Sequence, residues 1–156
     1  MTPLPLYMLD TNVFNDLCDE NIPLSIFGGH RLIATAIQFD ELRNTPKIQR
    51  RTALLDKFQE VAPEVVNAAS FAFDIEGAGW NQADWNDSSG NFDRMLTRLK
   101  ELDEAKGRKK RPLNQERDIL IAETAIKAGA ILVSGDVSLR CVVREYGGCA
   151  KAPADF

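Results

Sequence analysis

One histidine, His30, serves a chain of 156 residues, and that scarcity removes two kinds of chemistry together. A zinc motif built on two histidines is impossible, and a Ser-His-Asp triad would have to run through His30. Cysteine is nearly as rare: Cys18, Cys141 and Cys149 are odd in number and form no Cys-x-x-Cys pair, so neither a disulfide framework nor a zinc knuckle is indicated. No uncharged stretch approaches the roughly 18 residues that a membrane span requires. The opening Met1-Thr2-Pro3-Leu4-Pro5-Leu6 lacks a basic segment and reaches Asp10 too soon for a secretory signal, so the expectation is a soluble, cytoplasmic protein without a membrane partner. Nor is there an excess of positive charge. The formal net charge of -4 argues against a general nucleic-acid coat protein and leaves room for a local basic patch.

What is present suffices for one domain with a proper core, residues 1–156, and the 44% hydrophobic and 27% charged fractions are those of an ordinary globular chain. Leu6-Tyr7-Met8-Leu9, Arg31-Leu32-Ile33-Ala34-Thr35 and Ile131-Leu132-Val133 read as strands, the first and last uncharged in the way of strands covered on both faces. Asn12 is placed to cap a helix from Val13, which residues 20–29, with Pro23 and two glycines, break. Ile37, Phe39 and Leu42 continue as a short helix ending near Thr45-Pro46, and Ile48, Leu54, Leu55 and Phe58 space a longer one over 47–60. Residues 64–74 fit a strand or an alanine-supported helix alike. Trp80 and Trp85 fall in a stretch, 77–90, rich in Asn, Asp, Ser and Gly, which predicts a surface loop with aromatic anchors. Phe92, Met95, Leu96, Leu99 and Leu102 mark the next helix. Asn114 offers an N-cap for another, whose run from Ile119 to Ile126 predicts burial on several faces and whose end suits Gly129. A last helix over 137–146 stops at Gly147-Gly148, and no internal repeat is visible. Alternating strands and helices predict right-handed βαβ units and a mostly parallel sheet with helices on both faces.

Acids stand at the ends of these elements. Asp10 directly follows the first strand, Asp136 closely follows the last apolar run, Asp118 lies in the first turns of the apolar helix, and Glu41 sits on the short helix after the second strand. In open α/β sheets, ligands bind beyond the carboxyl ends of parallel strands, so acids far apart in sequence can meet at one crevice. Turn-forming and helix-capping aspartates are common after strands, and position alone gives each about one chance in three of being a ligand. Asp118 is the strongest single case, because a carboxylate among apolar neighbours costs several kcal/mol unless a cation or hydrogen bonds compensate. Asp40 adjoins Glu41, and helical phase decides which of the two faces the crevice. Asp16 and Asp19 read as solvated. Such a constellation suits a hard cation such as Mg²⁺, which takes carboxylates and water and needs neither His nor Cys.

At these residues the chain resembles the PIN-domain nucleases, especially the VapC-type toxins of toxin-antitoxin modules. Leu9-Asp10-Thr11-Asn12-Val13 resembles the family's opening strand-to-helix motif, and the stretch from Thr35 to Glu41-Leu42 resembles the one that supplies its second acid. Asp118-Ile119-Leu120-Ile121-Ala122, then Gly129-Ala130-Ile131-Leu132-Val133-Ser134-Gly135-Asp136, are similar to the regions of its third and fourth acids, and residues 147–156 to its closing strand and tail. The resemblance spans nearly the whole chain. It implies a three-layer α/β/α sandwich around a mostly parallel sheet, a PIN-like nuclease domain whose variable part is about 60–112, and metal-dependent endoribonuclease activity with Mg²⁺ or Mn²⁺. It carries over Asp10, Glu41, Asp118 and Asp136 as catalytic acids, with Asp10, Asp118 and Asp136 as metal ligands and Asn12 and Ser134 as supporting polar residues. It also implies an RNA substrate, a homodimer and a small antitoxin whose basic side chain reaches the acids. The region from 60 to 112 is longer and richer in tryptophan than in compact toxins.

The expected reaction is in-line hydrolysis of a phosphodiester, water attacking phosphorus while positive charge stabilises the leaving oxygen. Lys106, Arg108, Lys109, Lys110 and Arg111 offer contacts to RNA phosphates or form a solvated connection. The tryptophans offer stacking surfaces for bases or, the favoured reading, anchors for their loop. Two other functions fit less of the sequence: a catalytically silent module that captures a basic peptide, and a solitary nuclease outside any toxin module. A phosphoryl-transfer domain with an aspartyl nucleophile is disfavoured, since Asp10-Thr11-Asn12 lacks a second acid two residues on.

Overall fold

The computed structural model describes residues 4–61, 63–68 and 90–156. Trp80, Trp85 and the Phe71-Ala72-Phe73 segment lie outside the described residues. Five strands form one parallel sheet: β1 (Leu6–Leu9), β2 (Arg31–Thr35), β3 (Glu64–Val66), β4 (Ile131–Val133) and β5 (Cys149–Lys151), in the order β3-β2-β1-β4-β5. Among the described residues six α-helices flank it: α1 (Thr11–Cys18), α2 (Ala36–Arg43), α3 (Ile48–Val61), α4 (Asn91–Ala105), α5 (Pro112–Lys127) and α6 (Val137–Glu145). This is the predicted PIN-like α/β/α arrangement. β3 settles the first residues of the segment that fitted strand or helix.

β1, β2 and β4 are uncharged at their centres because both faces are covered there. Side chains of a strand alternate between faces, and here each alternation feeds a separate core. Met8, Ile33 and Leu132 point to the side where Met95 and Leu99 of α4, Ile119 to Ala122 of α5, and Leu139 and Val142 of α6 pack. Tyr7, Leu9, Ala34 and Val133 point to the other, against Val13, Phe14 and Leu17 of α1, Leu42 of α2, and Leu54 and Phe58 of α3. Burying a side chain such as Phe14 or Leu9 completely stabilises by roughly 1.5–3 kcal/mol. The seven consecutive residues from Ile119 to Ala125 are all buried, as the apolar run of α5 predicts.

Winding direction places the site. From β1 the chain moves outward through β2 to β3, then returns to lay β4 on the opposite side of β1, with Met8 paired to both Ile33 and Leu132. The reversal between β1 and β4 opens a crevice beyond their carboxyl ends. There Asp10 N–H donates to Val133 O at 2.9 Å, fixing the two strand ends side by side.

Two helix starts differ from expectation. Asp10, not Asn12, caps α1: its backbone is extended and its side chain accepts from Thr11 N–H. α5 starts at Pro112 behind Arg111, so Asn114 lies inside the first turn rather than at the cap. Proline suits that first position, where its fixed φ is helical and its missing N–H has no partner to lose. Asp118 is therefore the seventh residue of α5, inside its first two turns as expected but past the first, beyond the reach of the helix dipole's positive end. At the other end Gly129 takes φ +68°, and Ala130 N–H reaches back to Ala125 O at 2.8 Å, the left-handed closure that favours glycine. His30 packs edge-on to Tyr7 and Phe156, with ring centroids 5.0 and 5.8 Å away. No helix among the described residues is long and apolar enough to cross a membrane.

Candidate active site

The crevice is an open cleft of about 930 Å³, and Asp10, Glu41, Asp118 and Asp136 all line it. Four segments scattered through the sequence thus deliver four carboxylates to one place. Asp16 lines the same cleft, although the sequence reads it as solvated, while Asp19 pairs with Arg50 at the surface.

Asp10 is 3% exposed and is held by uncharged donors. One oxygen accepts from Thr11 N–H at 2.8 Å, the other from the Ser134 hydroxyl at 2.7 Å and the Asn12 amide at 3.1 Å. Ser134 in turn accepts from Asp136 N–H at 3.0 Å, and Asn12 accepts from Gly135 N–H at 3.1 Å. Asn12, freed from capping, thereby fastens the end of β1 to the turn after β4. Both residues singled out as supporting polar groups lie against Asp10.

Glu41 faces the cleft and Asp40 does not: Asp40 is buried against Arg43, 2.7 Å away. The phase of α2 is set by Gln38, one turn before Glu41 and fully buried. Its carbonyl accepts from Thr35 N–H at 2.8 Å, closing a capping box, and its amide donates to Leu9 O at 3.1 Å. One side chain so ties the start of α2 to the end of β1 and sets Glu41 beside Asp10. Gln38 has no role in the sequence reading, yet Thr35-x-x-Gln38 before an apolar run carries the capping-box signature.

The basic loop, residues 106–111, turns inward. Lys110 Nζ binds Asp118 Oδ2 and donates to Asp136 Oδ2 at 3.0 Å. Arg108 donates to Asp136 Oδ1 at 3.2 Å and lies 3.6 Å from the buried Asp103, and Lys106 donates to the Ser138 hydroxyl at 3.0 Å. Lys109 and Arg111 remain exposed. Lys110 is half-buried between its two carboxylates, whereas Lys106 and Arg108 reach Ser138 and Asp136 while staying exposed to solvent. Arg117, which lacks any signal in the sequence reading, also lines the cleft.

Charge is balanced unevenly across the cleft. Burial pushes the Asp10 carboxyl up against the opposing pull of Ser134, Thr11 and Lys110. Glu41 is pushed up to about 7 by burial, with the charge of Asp10 adding to it. Asp118 stands well above its ordinary range through burial and then the charge of Asp10, which Lys110 only partly offsets. Asp136 goes the other way: burial opposes it, but Lys110, the Leu139 N–H and Arg108 together hold it below the usual carboxylate range.

Whether such residues suit a divalent ion turns on donor chemistry. The cleft offers oxygen donors, carboxylates foremost, with no His or Cys among its lining residues, the set a hard cation prefers, and three of the carboxylates pay for burial in raised pKa values that a positive charge would relieve. Thr11 Oγ1 is buried beside Glu41 without a hydrogen bond of good geometry. Among the described residues no group of three or more Asp, Glu, His or Cys side chains already stands in an ion-holding arrangement. Lys110 explains part of that, since its ammonium fills the space between Asp118 and Asp136. The donor set fits a divalent cation; its present positive tenant is a lysine.

No protein-family model and no curated protein matches the chain. Solved structures do. A chain of VapBC2 from Rickettsia felis, bound to a DNA fragment from their promoter, is similar with a TM-score of 0.53 at 18% identity, over 94% of this chain and 98% of that one. VapBC-1 from nontypeable Haemophilus influenzae gives 0.53 at 14% identity, covering 96% and 98%. DNA-bound VapBC from Salmonella typhimurium gives 0.51 at 16% identity, covering 96% and 99%. These likenesses extend over nearly the full length of each chain, and with the parallel sheet and its flanking helices they establish a VapC-like PIN fold.

Proposed function

We propose that this protein is a metal-dependent endoribonuclease, cutting RNA phosphodiester bonds with Mg²⁺ or Mn²⁺, and that it is the toxin of a type II toxin-antitoxin module. The observation that carries this reading is the meeting of Asp10, Glu41, Asp118 and Asp136 in one cleft at the reversal point of the sheet. The PIN-like fold supports the same class. The acids of the cleft would furnish the oxygens for the ion, which would supply positive charge to the attacking and leaving oxygens of the phosphodiester. The chain's own residues do the positioning. Thr11 N–H, Asn12 and Ser134 fix the orientation of Asp10, and Gln38 fixes that of the helix bearing Glu41. Arg117 and Arg108 give the cleft positive charge for RNA phosphates, with the exposed Lys109 and Arg111 beyond it.

The partners follow from the same chemistry. A cleft that seats the ammonium of Lys110 between two carboxylates has the charge to take a basic side chain from a small antitoxin, and a homodimer completes the reading. That same observation favours a second function, a silent module that captures a basic peptide. Incubation with single-stranded RNA and added Mn²⁺ separates the two. The nuclease cuts, and Asp10→Asn loses both cutting and Mn²⁺ binding; a peptide-binding module leaves RNA intact and holds its peptide without metal. Undiminished cleavage by Asp10→Asn would remove the nuclease assignment. An upstream reading frame encoding a DNA-binding fold with a basic tail is expected for a toxin; its absence points to a solitary nuclease.

A further inference from the structure

The cleft has places for positive charge on two sides, and the chain fills one of them itself. Lys110 bridges Asp118 and Asp136 through one oxygen of each. It does not hang there freely. Two residues earlier, Arg108 N–H donates to Asp103 O at 2.9 Å, and its guanidinium reaches Asp136 and the buried Asp103. Asp103 is fixed in turn by Gln115 at 3.0 Å, and Lys106 is tied to Ser138. The loop is thus pinned on both sides of Lys110, whose half-buried side chain is delivered to the acids already ordered.

The carboxylates differ in what they have left to give. Asp10 and Asp136 each accept three hydrogen bonds, but the donors on Asp10 are uncharged, whereas two of those on Asp136, Arg108 and Lys110, are cations. Among the described residues no lysine or arginine forms an ion pair with Asp10 or Glu41. Mg²⁺ draws its oxygens to about 2.0–2.1 Å, a distance an oxygen already held by an ammonium cannot reach without releasing it.

We propose that Lys110 is a built-in second cation: its ammonium occupies the place between Asp118 and Asp136, the cleft takes a single divalent ion on the side of Asp10, Glu41 and Asp118, and Asp136 serves to hold Lys110. This rests on the nuclease reading and refines it. An ammonium carries three N–H donors, and with two committed to Asp118 and Asp136 one remains for a phosphate oxygen. Lysine in this place gives charge without the exchange and concentration dependence of a second free ion.

Titration of the metal-free protein with Mn²⁺, followed by calorimetry and by the electron paramagnetic resonance of free Mn²⁺, tests the proposal. The expected result is one equivalent bound by the wild type and by Lys110→Arg, and two by Lys110→Met. Two equivalents in the wild type, or only one in a folded Lys110→Met, would overturn it. Asp136→Asn provides an arm independent of whether Lys110→Met folds: Mn²⁺ affinity within about threefold of wild type is expected, because Asp136 touches Lys110 and not the ion, against a loss of more than about tenfold in Asp10→Asn, which removes an oxygen ligand. Equal losses in the two variants would place Asp136 among the ligands and end the proposal. RNA cleavage accompanied by two bound ions defeats only this inference, whereas no Mn²⁺ binding at all defeats the nuclease reading with it.

Discussion

Asp118 and Asp136 grip the same ammonium, yet the protein moves their acidities in opposite directions. Asp136 stands at the start of α6, where backbone N–H groups lack helical partners, and it collects Leu139 N–H and Arg108 besides Lys110. Asp118 stands within α5, where the backbone donors are committed to carbonyls one turn back, and it faces Asp10 and Glu41 with Lys110 as its compensation. A lysine at contact distance therefore does not settle the state of a buried carboxylate. The number of donors that remain available at its place in the fold does.

Substitution of each acid by its amide sharpens that contrast most strongly. Asp118→Asn and Asp136→Asn should each reduce RNA cleavage, the former by at least ~100-fold, the scale on which a positioned electrostatic group is felt. Their stabilities should diverge: in metal-free buffer Asp118→Asn melts higher than wild type, because a buried charge is removed, whereas Asp136→Asn melts lower, losing about 1–3 kcal/mol of stability, because satisfied charged hydrogen bonds are lost. Thermal unfolding in EDTA checks both, and a fall for Asp118→Asn would break the comparison.

Acidity gives the next effect. Glu41 is raised from 4.5 to about 7, so the folded state takes up its proton first. Its contribution to stability is therefore present below pH 4.5 and lost as the pH climbs through about 7, a change of about 3 kcal/mol at full expression of the shift. Asp136, with its acidity moved the other way, contributes above its ordinary range and loses that only in acid. Melting temperature in EDTA should fall between pH 4.5 and 7, and saturating Mn²⁺ should flatten the fall. Gln38→Ala comes next. It leaves Leu9 O and Thr35 N–H without their partner at a cost of about 1–3 kcal/mol, and it should weaken Mn²⁺ binding on the order of tenfold by loosening α2. The smallest effect belongs to the outward members of the basic loop: Lys109→Ala and Arg111→Ala should each flatten the salt slope of RNA binding by ~0.7 and leave the melting temperature alone. An unchanged slope would assign both to solvent.

The strands and the long helices were legible because their signals are local. Arg31 to Thr35 and Ile131 to Val133 are short apolar runs between breakers, and the Phe92-to-Leu102 spacing is that of a helix. Helix starts were less so. Asp10 and Asn12 are both good caps two residues apart, and only the docking of Asn12 onto Ser134 decides between them. Arg111 caps α5 with no side-chain bond, so the start is marked by Pro112 at the first helical position rather than by a capping side chain. Asp10 and Asp136 were legible as strand-end residues and Asp118 as a charge among apolar neighbours, but the choice of Glu41 over Asp40 needed a phase that Gln38 sets through a contact with β1. The inward turn of the basic loop was hidden for the same reason, since Lys110 finds its partners 8 and 26 positions onward in the chain.

The bond from Ser134 to Asp10 spans 124 positions, and it bears on when the protein becomes competent during synthesis. A growing chain that has emerged only as far as α5 already carries Asp10, Glu41 and Asp118, but lacks β4, the strand against which β1 must lie, and the hydroxyl that turns Asp10 into place. Contacts of such long range form late, after the entropy of closing the intervening chain has been overcome. A nascent polypeptide, surrounded by the RNA of its own ribosome, thus holds the acids of the cleft before it holds the cleft.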